Sequence, residues 1–345
     1  VILTNRFTCT YDESDARYHG RAVICSNPAI ISTTGMIEAP VVFISVQRGG
    51  PSTGIPTKTE QADLNQAMGA SQGDFPRVIV APSDVTDAYY SAAEALNLAD
   101  KYQLPVIIIS DLLLSEHPET IETDALRFDL PIDRGEIVSE WDKENGSYKR
   151  YAFTESGVSP RALPGTKNAV HVSPSDDHDE EGILISDEYT NPPLRRKIQE
   201  KRMRKMEGVL RDLEPPKLEG PKDAEVTLVG WGSCKGVIGE AVKILGEQGT
   251  AANQLHFKYM LPFHRKEALE ILNECKKTVC IEVNYTGQFA RHLRAETGFS
   301  VDDTILKYDG EPFEPAFIVE NVKSILQGKT PSVDVTEEDA REIAY

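Results

Sequence analysis

Basic charge is scarce in this sequence: 37 lysines and arginines face 55 aspartates and glutamates across 345 residues, leaving a formal charge of −18. A surface of that sign cannot displace counterions from a phosphate backbone, which argues against nucleic-acid binding. It equally disfavours an anionic membrane surface and mainly keeps the chain soluble. Long apolar runs are missing too. No stretch approaches the roughly 20 residues that span a bilayer. The opening VILTNRFTCTYDESD has no basic segment leading into an apolar core, so no secretory leader is expected. Cysteine is sparse: Cys9, Cys25, Cys234, Cys275 and Cys280 are odd in number, irregularly spaced and form no C-x-x-C pair. Iron–sulfur or zinc ligation within the chain is therefore not expected. Cys275 and Cys280 read as small core residues in a reducing cytosol. Internal repeats, a G-x-S-x-G elbow, a Cys/His signature and a zinc-protease pattern are absent as well.

What is present reads as α/β. The length allows two domains, since single cores usually hold roughly 100–200 residues. VVFISV (41–46), RVIVA (77–81) and PVIIIS (105–110) are continuous and β-branched, as strands buried on both faces of a parallel sheet should be. Between the last two runs, Val85, Tyr89, Ala92, Leu96 and Ala99 fall on one helical face. Asp84 suits the cap of that helix and Asp87 its positive end. A second helix is predicted over 57–72. Residues 111–224 are rich in proline and charge, with one period in LRRKIQEKRMRKMEGVLRDL (194–213), where Met203, Met206, Leu210 and Leu213 are spaced 3, 4 and 3 apart. Its eight lysines and arginines read as an exposed flank, with Glu200 one turn before Arg204. From 225 alternation returns: EVTLVGWGS, a helix in KGVIGEAVKILGEQG, a strand in LHFKYMLPF, a helix in RKEALEILNECKK, a strand in TVCIEV and a helix in GQFARHLRAETG. The acidic tail from Thr330 reads as a loosely attached helix.

Several motifs carry possible chemistry. QRGGPSTGIPTKTEQ (47–61) places Arg48 after an apolar strand and before Gly49, Gly50, Pro51, Ser52, Thr53 and Gly54. The G-x-x-x-x-G spacing suggests a phosphate loop, but Ile55 and Pro56 stand where Lys-Ser/Thr would follow, so a triphosphate site is unsupported. An arginine at the carboxyl end of a parallel strand sits where open α/β sheets bind ligands, and a guanidinium grips a carboxylate by two parallel bonds. Ser52, Thr53 and backbone N–H groups would add donors. A structural salt bridge for Arg48 is the competing reading. DDHDEEG (176–182) puts His178 among acids without a second histidine, so a solvated acidic loop is expected and no metal site is assigned. His171 and His264 have no partner the sequence identifies. GWGS (230–233) reads as a tight βα turn or an anion site at a helix start.

With these residues in view, the chain resembles the alpha subunit of 2-oxoacid:ferredoxin oxidoreductases, most closely the 2-oxoglutarate type. VQRGGPSTGIPTKTEQADL (46–64) is similar to that family's signature, and the similarity continues through PVIIISDLLLSE, YAFTESGVSPRALPGT (151–166), HDEEG, LHFKYMLPF and EVNYTGQFARHLRAETG (282–298). It covers about residues 35–328. The resemblance implies a thiamine-diphosphate enzyme that converts a 2-oxoacid to an acyl-CoA and reduces ferredoxin. The alpha chain would face the cofactor's aminopyrimidine. A separate beta chain would hold the diphosphate, its Mg²⁺ and an iron–sulfur cluster. Arg48 then takes the place of the residue that binds the 2-oxoacid carboxylate, with Ser52 and Thr53 beside it and Gly49, Gly50, Pro51 and Gly54 forming the loop against the reacting centre.

The implied architecture is two open parallel-sheet domains: an incomplete pyrimidine-binding domain over 1–125 and a transketolase C-terminal-like domain over 223–328. A connector with one helix lies between them at 126–222, and 329–345 is the tail. The sequence departs from the family pattern at its start. A Tyr-Pro-Ile-Thr-Pro segment and the glutamate that activates the cofactor are not present, and the glutamate is expected just before residue 1. Residues 20–34 weakly echo the Ser/Gly-rich segment that follows it. Glu13, the sole glutamate among the first 34 residues, is not assigned that role, so the catalytic residue is left unknown. The reading is an alpha subunit active only with its beta subunit in the cytoplasm. The alternatives are a non-catalytic assembly subunit that has lost the glutamate and, more distantly, a transketolase-like enzyme.

Overall fold

The computed structural model describes residues 2–3, 28–142, 144, 146–185 and 191–330, and Cys9, Glu13, Cys25 and the tail from 331 lie outside them. The three β-branched runs form the middle of the first sheet. Strands β2 (Val41–Gln47), β4 (Pro105–Asp111) and β3 (Val78–Val80) are mutually parallel, and β1 (Ile2–Leu3) extends the sheet beside β2. Helix α1 (Pro28–Met36) precedes β2, and α3 (Val85–Tyr102) carries the chain from β3 to β4. Asp84 caps α3 by accepting from the Asp87 N–H, the bond that its short acidic side chain favours at this position.

The second sheet runs β12 (Asp303–Leu306), β11 (Thr278–Glu282), β8 (Val226–Trp231), β9 (Ala252–Phe257) and β7 (Leu218–Glu219), parallel except for β7. Helices α6 (Cys234–Glu247) and α9 (Pro315–Leu326) cover its outer face through Val226, Leu228, Ile238, Leu245, Ile318 and Val322. Helices α7 (Arg265–Leu272) and α8 (Gln288–Thr297) join the inner face. One continuous core links the two sheets: Phe43, Ile79 and Ile107 of the first meet Trp231 and Phe257 of the second and Phe289 of α8 in a single buried cluster. Burial at roughly 25 cal/mol per Å² of apolar surface therefore holds the two sheets together as well as each one separately.

Five expectations change. LHFKYMLPF is two strands rather than one. After β9 the chain turns at Lys258 and β10 (Tyr259–Leu261) pairs antiparallel with β3, becoming the edge of the first sheet. The switch is held by the Lys258 ammonium, 2.8 Å from Asp87 and 3.0 Å from Glu94 of α3. The helix predicted over 57–72 shrinks to α2 (Leu64–Met68), because the backbone groups of Thr59 and Gln61 are hydrogen-bonded to distant segments instead. Helix α3 turns a different side inward: Ser91, Ala95, Leu98, Ala99 and Tyr102 are buried, whereas Ala92 and Leu96 are exposed.

The fourth concerns the basic helix. Helix α5 (Pro192–Asp212) buries Ile198, Lys201, Arg202, Lys205 and Val209, so three of its eight lysines and arginines are interior. Lys201 and Lys205 meet Glu38 in ion pairs of 2.6 and 2.5 Å. Arg202 and Arg195 both grip Asp177, at 2.5 and 2.6 Å. DDHDEEG is accordingly not a solvated loop at its centre. His178 is fully buried against Tyr151, ring centroids 4.0 Å apart, and its Nδ1 lies 3.1 Å from the Asp176 carbonyl. Residues 137–140 and 161–167 add β5 (Ile137–Glu140) and β6 (Arg161–Lys167), a small parallel ladder within the connecting region.

Candidate functional site

The stretch around Arg48 begins where β2 ends, at the carboxyl edge of the first sheet. Beyond it the backbone closes on itself. The Gly49 N–H donates to the Lys58 carbonyl at 3.1 Å, and the Ile55 N–H donates to the Gly49 carbonyl at 3.1 Å. The Gly50 N–H donates to Glu60 Oε2 at 3.0 Å. Closure this tight requires glycine. Gly54 has φ +52°, and a β-carbon on it would stand 2.2 Å from the Gly49 carbonyl oxygen; one on Gly49 would stand 2.1 Å from Ile55 Cγ1. The glycines thus serve the closure of the loop itself. Pro51, Ser52 and Thr53 are carried outward as an exposed tip, while Arg48 is half-buried at the neck. The sequence grouped these residues for ligand contact, and the fold places a cation and two accessible hydroxyls on one closed loop.

Three buried glutamines fix the base of that loop. Gln47 Oε1 accepts from the Asp63 N–H at 2.9 Å. Gln61, fully buried, crosses to the second sheet: its Nε2 donates to the Trp231 carbonyl at 3.0 Å, and its Oε1 accepts from the Val283 N–H at 3.3 Å and from Cys234 Sγ at 3.2 Å. Gln288, on α8, donates to the Ala62 carbonyl at 2.7 Å and accepts from the Asn65 N–H at 2.9 Å. GWGS is the tight βα turn it was expected to be, with Gly232 at φ +54° against the Gln61 amide. Glu282 completes this edge of the second sheet by accepting from the N–H groups of Phe289 and Ala290, at 2.7 and 2.9 Å, in the first turn of α8.

Asp111 was not singled out from the sequence. It lies opposite Gln47 at the end of β4, is buried, and receives the Ser233 hydroxyl from the second sheet and the Leu114 N–H at 3.0 Å. Burial pushes its carboxyl up, against the pull of those donors. The available signal was a carboxylate directly after the apolar run PVIIIS, at the ligand-facing end of a parallel strand. A cavity of about 230 Å³ opens beside it, lined by Thr59, Leu113, Leu114, Ser233, Val283 and Phe313. Burial also pushes the Cys234 and Cys280 thiols well above their ordinary range, which leaves them inert core residues.

A cleft of about 640 Å³ lies elsewhere, between α3 and the β9–β10 turn. No residue of the Arg48 loop lines it. Its lysines 101, 217, 235 and 258 are each paired with a carboxylate. His256 there is pushed by burial down to about 3 and stays neutral.

Residues 27–192 match a family described as pyruvate flavodoxin/ferredoxin oxidoreductase, thiamine diphosphate-binding. Residues 1–42 also match one described as a probable metallopeptidase family, and most of them lie outside the described residues. A 2-oxoacid:ferredoxin oxidoreductase subunit alpha from Saccharolobus solfataricus is 36% identical over 85% of this chain and 46% of its own length. The 2-oxoglutarate oxidoreductase subunit KorA of Mycobacterium tuberculosis is 33% identical over 87% of this chain and 44% of its own. Among solved structures, the 2-oxoglutarate:ferredoxin oxidoreductase of Magnetococcus marinus, with 2-oxoglutarate, coenzyme A and succinyl-CoA bound, superposes with a TM-score of 0.77 at 34% identity, covering 87% of this chain and 51% of that one. The chain spans about half the length of these relatives.

Against a bound substrate and cofactor, the residues present fit one part. The loop carries the Arg48 guanidinium at its neck and the Ser52 and Thr53 hydroxyls at its tip, and these are donor types that a carboxylate accepts. Among the described residues no group of three His, Cys, Asp or Glu converges to hold a metal ion.

Proposed function

Because the chain belongs to the family of 2-oxoacid:ferredoxin oxidoreductase alpha subunits, we propose that it supplies the substrate-carboxylate clamp of a complex that oxidatively decarboxylates a 2-oxoacid, 2-oxoglutarate being the favoured one. The observation that carries this reading is the closed loop at the end of β2, which presents Arg48 with Ser52 and Thr53 at the carboxyl edge of a parallel sheet. Arg48 holds the carboxylate next to the keto group by paired charge-assisted bonds, and Ser52 and Thr53 donate to the oxygens it leaves free. Fixing that end orients the keto carbon toward the reacting atom. Such positioning replaces a costly bimolecular encounter with a nearly unimolecular step. The partner beta subunit holds the diphosphate, its Mg²⁺ and the iron–sulfur cluster. Thiamine diphosphate, when bound, supplies the electron sink that accepts the pair left behind as carbon dioxide departs. The acyl group then passes to coenzyme A and the two electrons to ferredoxin.

Within this scheme the loop binds and orients, and no described residue of the chain is assigned to cofactor activation. The described cysteines are free thiols, which supports a reducing, cytoplasmic setting. No helix among the described residues is long and apolar enough to cross a membrane. The test is reconstitution: 2-oxoglutarate-dependent reduction of ferredoxin, followed in the presence of thiamine diphosphate, Mg²⁺ and coenzyme A. The complex with the beta subunit is expected to turn over and the purified chain is not. Turnover by the chain alone would overturn the assignment of the metal–cofactor half to the partner. The non-catalytic reading predicts a complex that assembles and stays silent.

A further inference from the structure

We propose that Gln61 is a positioning residue for the substrate carboxylate, locking the Arg48 loop onto the second sheet; this rests on the reading of Arg48 given above. Open parallel sheets bind ligands at the crevice where strand order reverses. In the second sheet that point lies between β8 and β11, since the chain passes from β8 to β9 on one side and returns to β11 on the other. The crevice is filled by Gln61. Its side chain bonds the Trp231 carbonyl at the end of β8 and the Val283 N–H just past β11. Its backbone N–H donates to the Val283 carbonyl at 2.6 Å, and its own carbonyl accepts from Asn284 Nδ2 at 3.2 Å. Where related architectures seat a ligand, this chain seats a side chain from its own loop between β2 and α2.

The consequence runs along the chain. Glu60, the preceding residue, holds the Gly50 N–H, and Gly49 is tied to Lys58. Gln47, the residue before Arg48, is tied to Asp63. Both arms of the loop therefore converge on the residues flanking Gln61. Space confirms the fit: a β-carbon on Gly232 would stand 2.9 Å from Gln61 Nε2, so the turn leaves room for this amide and no more. Gln61 touches no substrate in this scheme. It fixes the base from which Arg48 reaches.

The experiment uses the complex with its partner subunit and two variants. Gln61→Leu fills the crevice but makes none of the side-chain bonds to Trp231, Val283 and Cys234. It is expected to raise the 2-oxoacid KM about tenfold, the scale of one or two lost hydrogen bonds. The maximal rate and the KM for coenzyme A are expected to hold within about twofold. Hydrogen exchange of segment 48–58, where the amides of Gly49, Gly50, Ile55 and Lys58 are bonded within the loop, should quicken by about the same factor as the 2-oxoacid KM. Gln61→Glu adds a conservative check. Its buried carboxyl should titrate above the ordinary range, so the variant should behave as wild type at about pH 6, where it can still donate, and lose affinity by about pH 8.5. A segment 48–58 that exchanges at the wild-type rate in Gln61→Leu would overturn the proposal. So would a uniform loss of every kinetic constant, which marks a merely structural role. The Arg48 reading fails separately: Arg48→Ala with an unchanged 2-oxoacid KM refutes that reading, while the exchange rates still decide whether Gln61 locks the loop.

Discussion

Lys201 sets its ammonium 2.6 Å from the Glu38 carboxylate, with both side chains buried to within 1% of full occlusion. Lys205 reaches the other carboxylate oxygen, and Arg150 donates to the Glu38 backbone carbonyl at 2.7 Å. Burial alone would raise the Glu38 carboxyl, but the two ammonium groups hold it down to about 2. A folded-state value below the unfolded one contributes stability that is present above the ordinary 4.5 and lost as pH falls toward about 2. Glu38→Gln leaves two ammonium groups without their carboxylate and should cost about 3–5 kcal/mol. Urea unfolding at neutral pH checks it, and a loss near zero would contradict the pairing.

The same cluster predicts an alkaline effect. Burial pushes Lys205 down to about 7, with Lys201 and Arg150 repelling it and Glu38 only partly compensating. The unfolded chain then binds more protons than the folded one between about 7 and the ordinary 10.5, so stability rises with pH across that window. Lys205→Met removes the titration. The stability difference between wild type and this variant should shift toward wild type as pH climbs, and a constant difference would refute the assignment.

Gly54→Ala tests the closure of the loop. At φ +52° with a carbonyl oxygen 2.2 Å from the added methyl, the substitution combines left-handed strain with a backbone clash. It should cost about 1–3 kcal/mol and raise the 2-oxoacid KM without preventing assembly. Calorimetry and steady-state kinetics together decide this, and a variant with wild-type values in both would mean that the closure is dispensable.

Glu282→Ala removes the acceptor for two N–H groups at the start of α8. A buried charge-assisted cap of this kind is worth about 2–3 kcal/mol. The loss should appear as a lowered unfolding midpoint with unchanged secondary-structure content. An unchanged midpoint would show that the cap is redundant.

Much of this was legible in the chain. The strands VVFISV and PVIIIS appear almost to the residue because continuous β-branched runs have few alternatives to a sheet buried on both faces. Asp84 capping α3 was readable from local chemistry alone. What failed depended on distant partners. Nothing within 57–72 announces that Gln61 spends its hydrogen bonds on Trp231 and Val283, so a helical period was read there. Lys201 and Lys205 look like solvent-facing residues until Glu38, far away in sequence, is brought beneath them. Lys258 likewise ends β9 only because Asp87 and Glu94 wait on α3. In the candidate site, Arg48 and its glycines were visible as a motif, whereas Asp111 and the three supporting glutamines became meaningful only with both sheets assembled.

The central claim is that Arg48 clamps the substrate carboxylate, and the most direct measurement is the 2-oxoglutarate KM of the reconstituted complex carrying Arg48→Ala. Loss of a bidentate charge-assisted contact should raise KM by about 10²-fold, with subunit assembly intact. Arg48→Lys should recover only part of it, because an ammonium cannot make both parallel bonds. A wild-type KM in Arg48→Ala would contradict the account.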